Sequence, residues 1–501
     1  MAPRVSLSSI AGGAQEALAV LAGLAGPSRP LWLVGAAVRQ LLVGHPLADL
    51  DLATPRDALA LARALADRLG GRFVALDPER GAGRVVGAGV PAIDLVDFRA
   101  PDLEGDLRAR DFTINALAVS LAALLREGAA EVIDPTGGLT DLREGVVRLA
   151  GPAAIAEDPV RGLRGARLAA RPGWRLDPGT EAAIRAGAPG LATVAAERIR
   201  DELTAFLSEV RAAPGLRMLD RLGLLAVLLP ESAAMRDTAQ PLPHRFDVWE
   251  HSLRAVEGID ALLADLDRLA PWGPALRRHV EEPLGGDFTR RESLRLAALL
   301  HDVAKPETRA VIDGRIRFFG HDEAGARRIP GIVERWRLPR RVGQVLERLV
   351  AQHLRPMHLA QAGQITRRAR FRFFRALGDD AWDLLLLALA DAAALSGAAP
   401  FEVWAGEGGA VVRALMAGVE AQAAAAAAPR LLRGEDVMAA FGLAPGPAVG
   451  RLLERAGEAQ ALGLVRSRDE ALEYLRRHVA PGRADDGAGT ELDTPTDGCL
   501  E

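Results

Sequence analysis

Between Leu31 and Thr54 apolar runs and short polar breaks succeed one another in an order that predicts strand, turn, helix, loop and strand. Leu31 to Val34 is an apolar run of strand length. Gly35-Ala36-Ala37 predicts a tight turn, Val38 to Val43 a short helix, and Gly44-His45-Pro46 its end. Ala48 to Leu52 alternates polar with apolar. Residues two apart share a strand face, so Asp49 and Asp51 project together while Leu50 and Leu52 point the other way. Arg56 to Leu69 has helical spacing, and Arg72 to Leu76, Arg84 to Ala88 and Ile93 to Arg99 read as strands. The first 29 residues form a helix-prone, weakly specified leader, and helical spacing dominates the later chain.

Composition narrows this picture. A chain of 501 residues, 49% hydrophobic, predicts several packed domains. Few aromatics (4%) and abundant Ala and Leu favour a mainly helical body. A net charge of −4 provides no global positive field, so any nucleic-acid contact rests on local Arg clusters. The one cysteine, Cys499, excludes a disulfide framework and points to a reducing, cytoplasmic compartment. No signal peptide or membrane span is legible: Leu384 to Leu389 is a short apolar run bounded by Asp383 and Asp391. Residues 481–501 read as disordered.

The carboxylate pair brings in chemistry. Two ionised groups side by side repel, and a Mg²⁺ ion with substrate phosphates removes that cost. The turn at Gly35-Ala36 offers backbone N–H groups to a triphosphate, and Arg39 adds a fixed cation. Asp94 is either a third carboxylate or an ordinary strand-edge acid. Arg110 and Asp111 stand where a loop is expected to enter a helix; there Arg110 clamps phosphate and Asp111 accepts a ribose hydroxyl, or Asp111 merely caps the helix. In Glu131 to Leu142, Pro135 and two glycines predict a turn, with Asp141 capping the next helix. Asp158, Arg161, Arg164 and Arg167 are spaced by three. Asp158 and Arg161 together match the amine-plus-acceptor edge of cytosine or adenine, leaving Arg164 and Arg167 for phosphates; the alternative is a solvated ion-pair ladder. In Ala195 to Leu203 alternating charges fit packing on that helix or contact with RNA.

These stretches, VGAAVRQ with DLDLAT, RDFTINA, EDPVRGLRGARLAA and AAERIRDEL, resemble the class II tRNA nucleotidyltransferase and bacterial poly(A) polymerase family. That family carries Gly where Ala36 stands, Asp where Gln40 stands and often Arg where Ala109 stands. Ala36 is therefore expected to strain the phosphate turn or push the triphosphate outward, and Gln40 to orient Arg39 weakly. The resemblance implies an α+β fold, with a small mixed-sheet head (30–150) after the leader (1–29) and a helical neck holding the base template (151–240). It implies nucleotide contact by Gly35, Ala36, Arg39, Arg110, Asp111, Asn115, Asp158, Arg161, Arg164 and Arg167, with Asp49 and Asp51 catalytic and metal-bearing. The implied partners are tRNA, CTP and ATP, with no DNA and no membrane.

Seven of nine histidines lie between His244 and His358. The ordered set His251, His301-Asp302 and Asp391 resembles the HD metal-dependent phosphohydrolases. It implies one metal on His251, His301, Asp302 and Asp391 and a second on His321 and His353, a transition metal such as Mn²⁺ or Ni²⁺ suiting that donor set. This HD domain spans 241–400, and a helical RNA-binding body and tail spans 401–480. Ile365 to Leu377 interleaves Arg with Phe, either a nucleic-acid stripe or an amphipathic helix with core Phe. The activity implied is addition of CMP and AMP to a tRNA 3′ end. A poly(A) polymerase, a CC- or A-adding enzyme, and an HD phosphohydrolase with a lapsed head stay open.

Overall fold

The computed structural model describes residues 3–47, 49–87, 89–426 and 429–478; the segment 481–501, with Cys499, lies outside them. The chain forms two compact units, residues 1–354 with 386–408, and residues 355–385 with 409–501.

The first unit begins with an eight-stranded mixed sheet in the order β1-β8-β7-β2-β3-β6-β5-β4. Its strands are β1 Arg4–Ser6, β2 Trp32–Val34, β3 Asp49–Thr54, β4 Arg72–Asp77, β5 Ala82–Val86, β6 Ala92–Asp97, β7 Ala118–Ser120 and β8 Ala129–Ile133. β3 and β6 run parallel, with Asp51 opposite Asp94. The helices Gly12–Ala25 and Ala58–Leu69 cover one face, where Leu18, Leu21, Leu61 and Leu65 share a core with Leu50, Leu52, Ile93 and Leu95. That packing fixes the register: a one-residue slip of β3 would bury the aspartates.

Two expectations change here. The first 29 residues are no loose leader: β1 pairs with β8, and Leu18 and Leu21 are fully buried in the head core. The helix after β2 spans Gly35–Leu42 and begins three residues earlier than its apolar spacing indicated. Gly35, at φ +69°, makes the whole turn in one residue, which leaves Ala36 and Ala37 free to be helical.

Beyond the head come the helices Val160–Ala169, Ala196–Leu207 and Ala213–Arg221, then Val248–Ala264, Arg290–Leu300, His321–Arg335 and Arg340–Gln352. A buried polar joint ties these two groups. Arg295 is fully buried and donates to Asp260 Oδ1 (2.8 Å) and to the carbonyls of Leu207 and Val210, the latter at 3.0 Å. Asp260 Oδ2 accepts from the Ala213 N–H at 2.9 Å. With its guanidinium so satisfied, a buried Arg is tolerable.

In the second unit, the stretch of interleaved Arg and Phe forms the helix Arg367–Leu377, and the apolar-core alternative describes it: Phe373 and Phe374 are buried, while Arg368 and Arg372 pair with buried Glu458 at 2.7 and 3.3 Å. The low-complexity alanine run from Ala421 to Ala428 falls largely in the helix Ala410–Ala426. Helices Gly434–Phe441, Pro447–Ala461 and Arg468–His478 share a core that includes Val437, Leu452, Ala459 and Leu475. Among the described residues no helix is long and apolar enough to cross a membrane.

Candidate functional site

Asp49 and Asp51 share the open face of β3, with Leu50 and Leu52 fully buried behind them. Asp94 is the third carboxylate, brought beside Asp51 by the strand register and held by Arg84 Nε at 2.7 Å and Nη2 at 2.8 Å. Burial, then the neighbouring charges of Asp94 and Asp49, push the Asp51 carboxyl upward, against the pull of Arg110. Three crowded carboxylates form an oxygen donor set of the kind a hard divalent cation takes. The N-terminus of Gly35–Leu42 abuts them, and the Ala37 N–H bonds Asp51. The positive φ at Gly35 demands glycine, and a Cβ there would also crowd Arg110 Nη1 at 3.2 Å. The strain expected at Ala36 is absent, because the positive φ falls on Gly35 and Ala36 is helical. Arg39 donates to Asn115 Oδ1, which orients it independently of Gln40.

A cleft of about 660 Å³ joins these groups to Arg110, Asp111, Asn115, Asp158, Arg161, Arg164 and Arg167. Arg110 and Asp111 do not open a helix. They follow the helix Leu103–Arg108 and lead into a single turn at Thr113–Asn115. Buried Asp106 fixes Arg110 through Nη2 at 3.0 Å and Nε at 3.2 Å. Asp111 accepts from the Phe112 N–H (2.8 Å), Asn115 Nδ2 (3.0 Å) and Arg164 Nη1 (3.0 Å). Burial would raise its carboxyl, but Arg164 and the Asn115 amide hold it down at about 2. The cap of Gly138–Glu144 is Asp134, which takes the Gly138 and Leu139 N–H groups at 2.9 Å each; Asp141 instead accepts from Thr113 Oγ1 at 2.7 Å.

Asp158 and Arg161 do lie together at the start of Val160–Ala169, Asp158 Oδ2 being 3.9 Å from Arg161 Nε. Asp158 Oδ2 also accepts from Arg198 at 2.7 Å, while its Oδ1 is buried without a hydrogen bond. Arg164 and Arg167, expected to face phosphates, are matched to carboxylates. Arg164 pairs with Glu202 at 2.9 Å as well as Asp111, and Arg167 pairs with Glu202 at 3.5 Å and Glu209 at 3.4 Å. Of the two readings of Ala196–Leu207, packing on the Asp158 helix is the one seen. Sequence reasoning missed Arg84, Asp106, Arg198 and Glu202, the residues that hold the site residues in place. Only the alternating charges around Arg198 and Glu202 gave a signal.

A second cluster lies among Val248–Ala264, Arg290–Leu300, His321–Arg335, Arg340–Gln352 and Ala381–Ser396. Asp302 stands at its centre. Its Oδ2 is 3.2 Å from His301 Nε2 and 3.7 Å from His251 Nε2; its Oδ1 is 3.3 Å from His321 Nε2 and 3.6 Å from His353 Nε2. Asp391 Oδ1 is 2.9 Å from His251 Nε2. Two triads result, His251–His301–Asp391 and Asp302–His321–His353. Asp302 thus faces both sets, where the sequence placed it with the first alone. Nδ1 of His301, His321 and His353 lies 2.7–2.8 Å from the carbonyl three residues earlier. Donation there leaves each Nε2 lone pair facing the cluster, as metal ligation requires. His301 Nε2 is buried without a hydrogen bond, which fits cation ligation, while Lys305 Nζ holds Asp302 Oδ2 at 2.6 Å. His358 is exposed and outside both triads.

Residues 31–148 match the family described as Poly A polymerase head domain, residues 173–235 that described as "Probable RNA and SrmB- binding site of polymerase A", and residues 248–391 the HD domain. Head and HD domain both imply use of divalent metal. The chain is 38% identical over 452 residues to an A-adding tRNA nucleotidyltransferase of Deinococcus radiodurans, covering 89% of this chain and 94% of that protein. It is 36% identical over 466 residues to a CC-adding tRNA nucleotidyltransferase of Thermus thermophilus, covering 91% and 95%. In fold it is similar to a Thermotoga maritima CCA-adding enzyme solved with tRNA, with a TM-score of 0.57, 20% identity and coverage of 95% of this chain and 99% of that one. With relatives matched along nearly all its length, and a carboxylate-lined head in front of an HD cluster, the chain belongs to the tRNA nucleotidyltransferase family.

Proposed function

We propose that the head (30–150) and neck (151–240) add CMP and AMP of the CCA end to the 3′ end of tRNA without a nucleic-acid template. The observation that carries this is the shared cleft: Asp49 and Asp51 line it together with Asp158 and Arg161, so transfer chemistry and base choice meet one bound nucleotide. Asp158 accepts from the exocyclic amine of cytosine or adenine, and Arg161 donates to the adjacent ring nitrogen. Guanine and uracil present the reverse order there and are refused. Arg39, Arg110 and the Ala36 N–H hold the triphosphate, Gly35 supplying the turn while its own N–H is donated to the Leu117 carbonyl, and Asp111 faces the ribose. The RNA 3′-oxygen attacks the α-phosphorus in line, and pyrophosphate leaves. Asp49 and Asp51 would hold Mg²⁺, which supplies positive charge to the attacking oxygen and the α-phosphate.

The HD domain (241–400) supports a second activity, metal-dependent phosphohydrolysis, on the observation that Asp302 presents one oxygen to each histidine set. His251, His301, Asp302, His321, His353 and Asp391 would hold Mn²⁺ or Ni²⁺. Residues 401–480 serve as the RNA-binding body and tail, and the single cysteine fits a cytoplasmic enzyme.

Purified protein with Mg²⁺ is incubated with tRNA transcripts ending before C, after CC and after CCA, with labelled CTP or ATP. Incorporation is expected on at least one incomplete end and none on the complete CCA end. The ladder separates whole CCA addition from its A-adding and CC-adding halves, the activities named for the two relatives. Extension of the complete end would mark a poly(A) polymerase, and no incorporation at all would reject the reading.

A further inference from the structure

A second cavity of about 680 Å³ lies on the far side of Arg39 and Arg167, which line both cavities. Nothing in the proposed reaction uses it. Four guanidiniums line it, those of Arg39, Arg167, Arg171 and Arg211, against one carboxylate, Glu209. Glu209 is shared, 3.4 Å from Arg167 and 3.0 Å from Arg171. Arg211 is exposed at the rim, and Arg167 Nε is buried without a hydrogen bond. Burial, then the charges of Arg171 and Arg167, lower the Arg39 guanidinium to about 10, against the pull of Asp111 and Asp51. The remaining wall is of another character: half-buried Trp174 and Leu142, with buried Phe206, offer flat and apolar surface.

An inorganic anion would leave that wall uncovered, and an apolar molecule would not meet the excess of guanidiniums over Glu209. A flat base joined to a phosphate meets both, and the volume is close to that of the neighbouring cleft, assigned above to one nucleotide. We infer that this second cavity binds a phosphorylated nucleoside, its base on Trp174 and its phosphate on Arg171 and Arg211. The same chemistry has two sources, a free nucleotide or a nucleotide of the bound RNA.

The test uses the full chain and its Trp174→Ala, Trp174→Phe and Arg211→Gln variants, none of which alters a residue of the transfer cleft. Equilibrium dialysis with ATP and Mg²⁺ counts nucleotides per chain, and a filter-binding titration gives the tRNA Kd. Two ATP per chain in the wild type, falling to one in Trp174→Ala and Arg211→Gln, assigns the cavity to free nucleotide. One ATP throughout, with tRNA affinity reduced at least about fivefold in those variants and restored in Trp174→Phe, assigns it to the RNA. One ATP throughout with unchanged tRNA affinity overturns the inference. Arg211 is exposed, so its variant reports even if Trp174→Ala folds poorly. Incorporation is not read in this assay, so failure of the transfer proposal leaves the count interpretable.

Discussion

Replacing Asp158 by alanine separates base choice from folding, and the structure sets the size of both effects. In the substrate complex the substitution removes one half of a two-point base contact. A full bidentate contact carries about 1–3 kcal/mol of discrimination, or about 5- to 150-fold. In the free protein it removes the ion pair with Arg198, whose side chain is 53% exposed, and exposed pairs contribute about 0–1 kcal/mol. Removing the carboxylate also removes a buried oxygen that has no hydrogen bond, which offsets part of that cost. Selection should therefore collapse while the Tm moves by a few degrees at most. The assay is kcat/KM for CTP, ATP, UTP and GTP on each transcript, beside a thermal melt. CTP and ATP are expected to lose at least about fivefold of their advantage over UTP and GTP. If the variant keeps its preference, or if all four rates fall together with a large drop in Tm, Asp158 is a structural cap and the base-reading argument fails.

Four further outcomes are expected. Asp49→Ala or Asp51→Ala should abolish incorporation with tRNA affinity unchanged in a gel shift; normal incorporation by either would remove the pair from the chemistry. Ala36→Gly should leave the KM for nucleotide unimproved, because there is no strain to relieve, and should lower stability by about 1 kcal/mol in a urea titration as Gly replaces Ala in a helix. His301→Ala should eliminate Mn²⁺- or Ni²⁺-dependent hydrolysis of a 2′,3′-cyclic phosphate or small phosphomonoester while incorporation persists; equal hydrolysis by both proteins would identify a contaminant. Asp111 is held at about 2 against an ordinary 3.8, so its folded-state pKa lies below the unfolded one. Its stabilisation is complete above about pH 4 and is lost as pH falls through about 2, worth roughly 2 kcal/mol. Denaturation midpoints followed from pH 5 to 2 should fall more steeply in the wild type than in Asp111→Asn.

The carboxylate pair was legible because strand alternation is a local rule, and Asp49 and Asp51 obey it whatever surrounds them. The HD cluster was legible through residue order alone, although its partition was not. Asp302 has two oxygens, and which histidines each one meets depends on where four other helices end. The holding residues were hidden for the same reason. Arg84 reaches Asp94 through a cross-strand register, and Asp106 finds Arg110 across one turn of a helix whose end the sequence did not mark. The leader was misjudged because three residues of edge strand carry too little pattern to be seen; only pairing with β8 makes Arg4–Ser6 a strand. Ala36 was misjudged by one position, since a single glycine completes a turn that the small-residue run had spread over three.

The buried joint at Arg295 bears on how such chains are assembled over evolutionary time. A cut at residue 240, just before the stretch 248–391 that matches the HD domain, would strip Arg295 of the Leu207 and Val210 carbonyls and leave Asp260 without the Ala213 N–H. A severed HD half would lose the three hydrogen bonds made across the joint and expose to water the surface that the neck covers. The heritable module is accordingly larger than the HD domain. Recombination that moves this HD domain with its joint intact carries the stretch from Leu207 to Ala213 along with it.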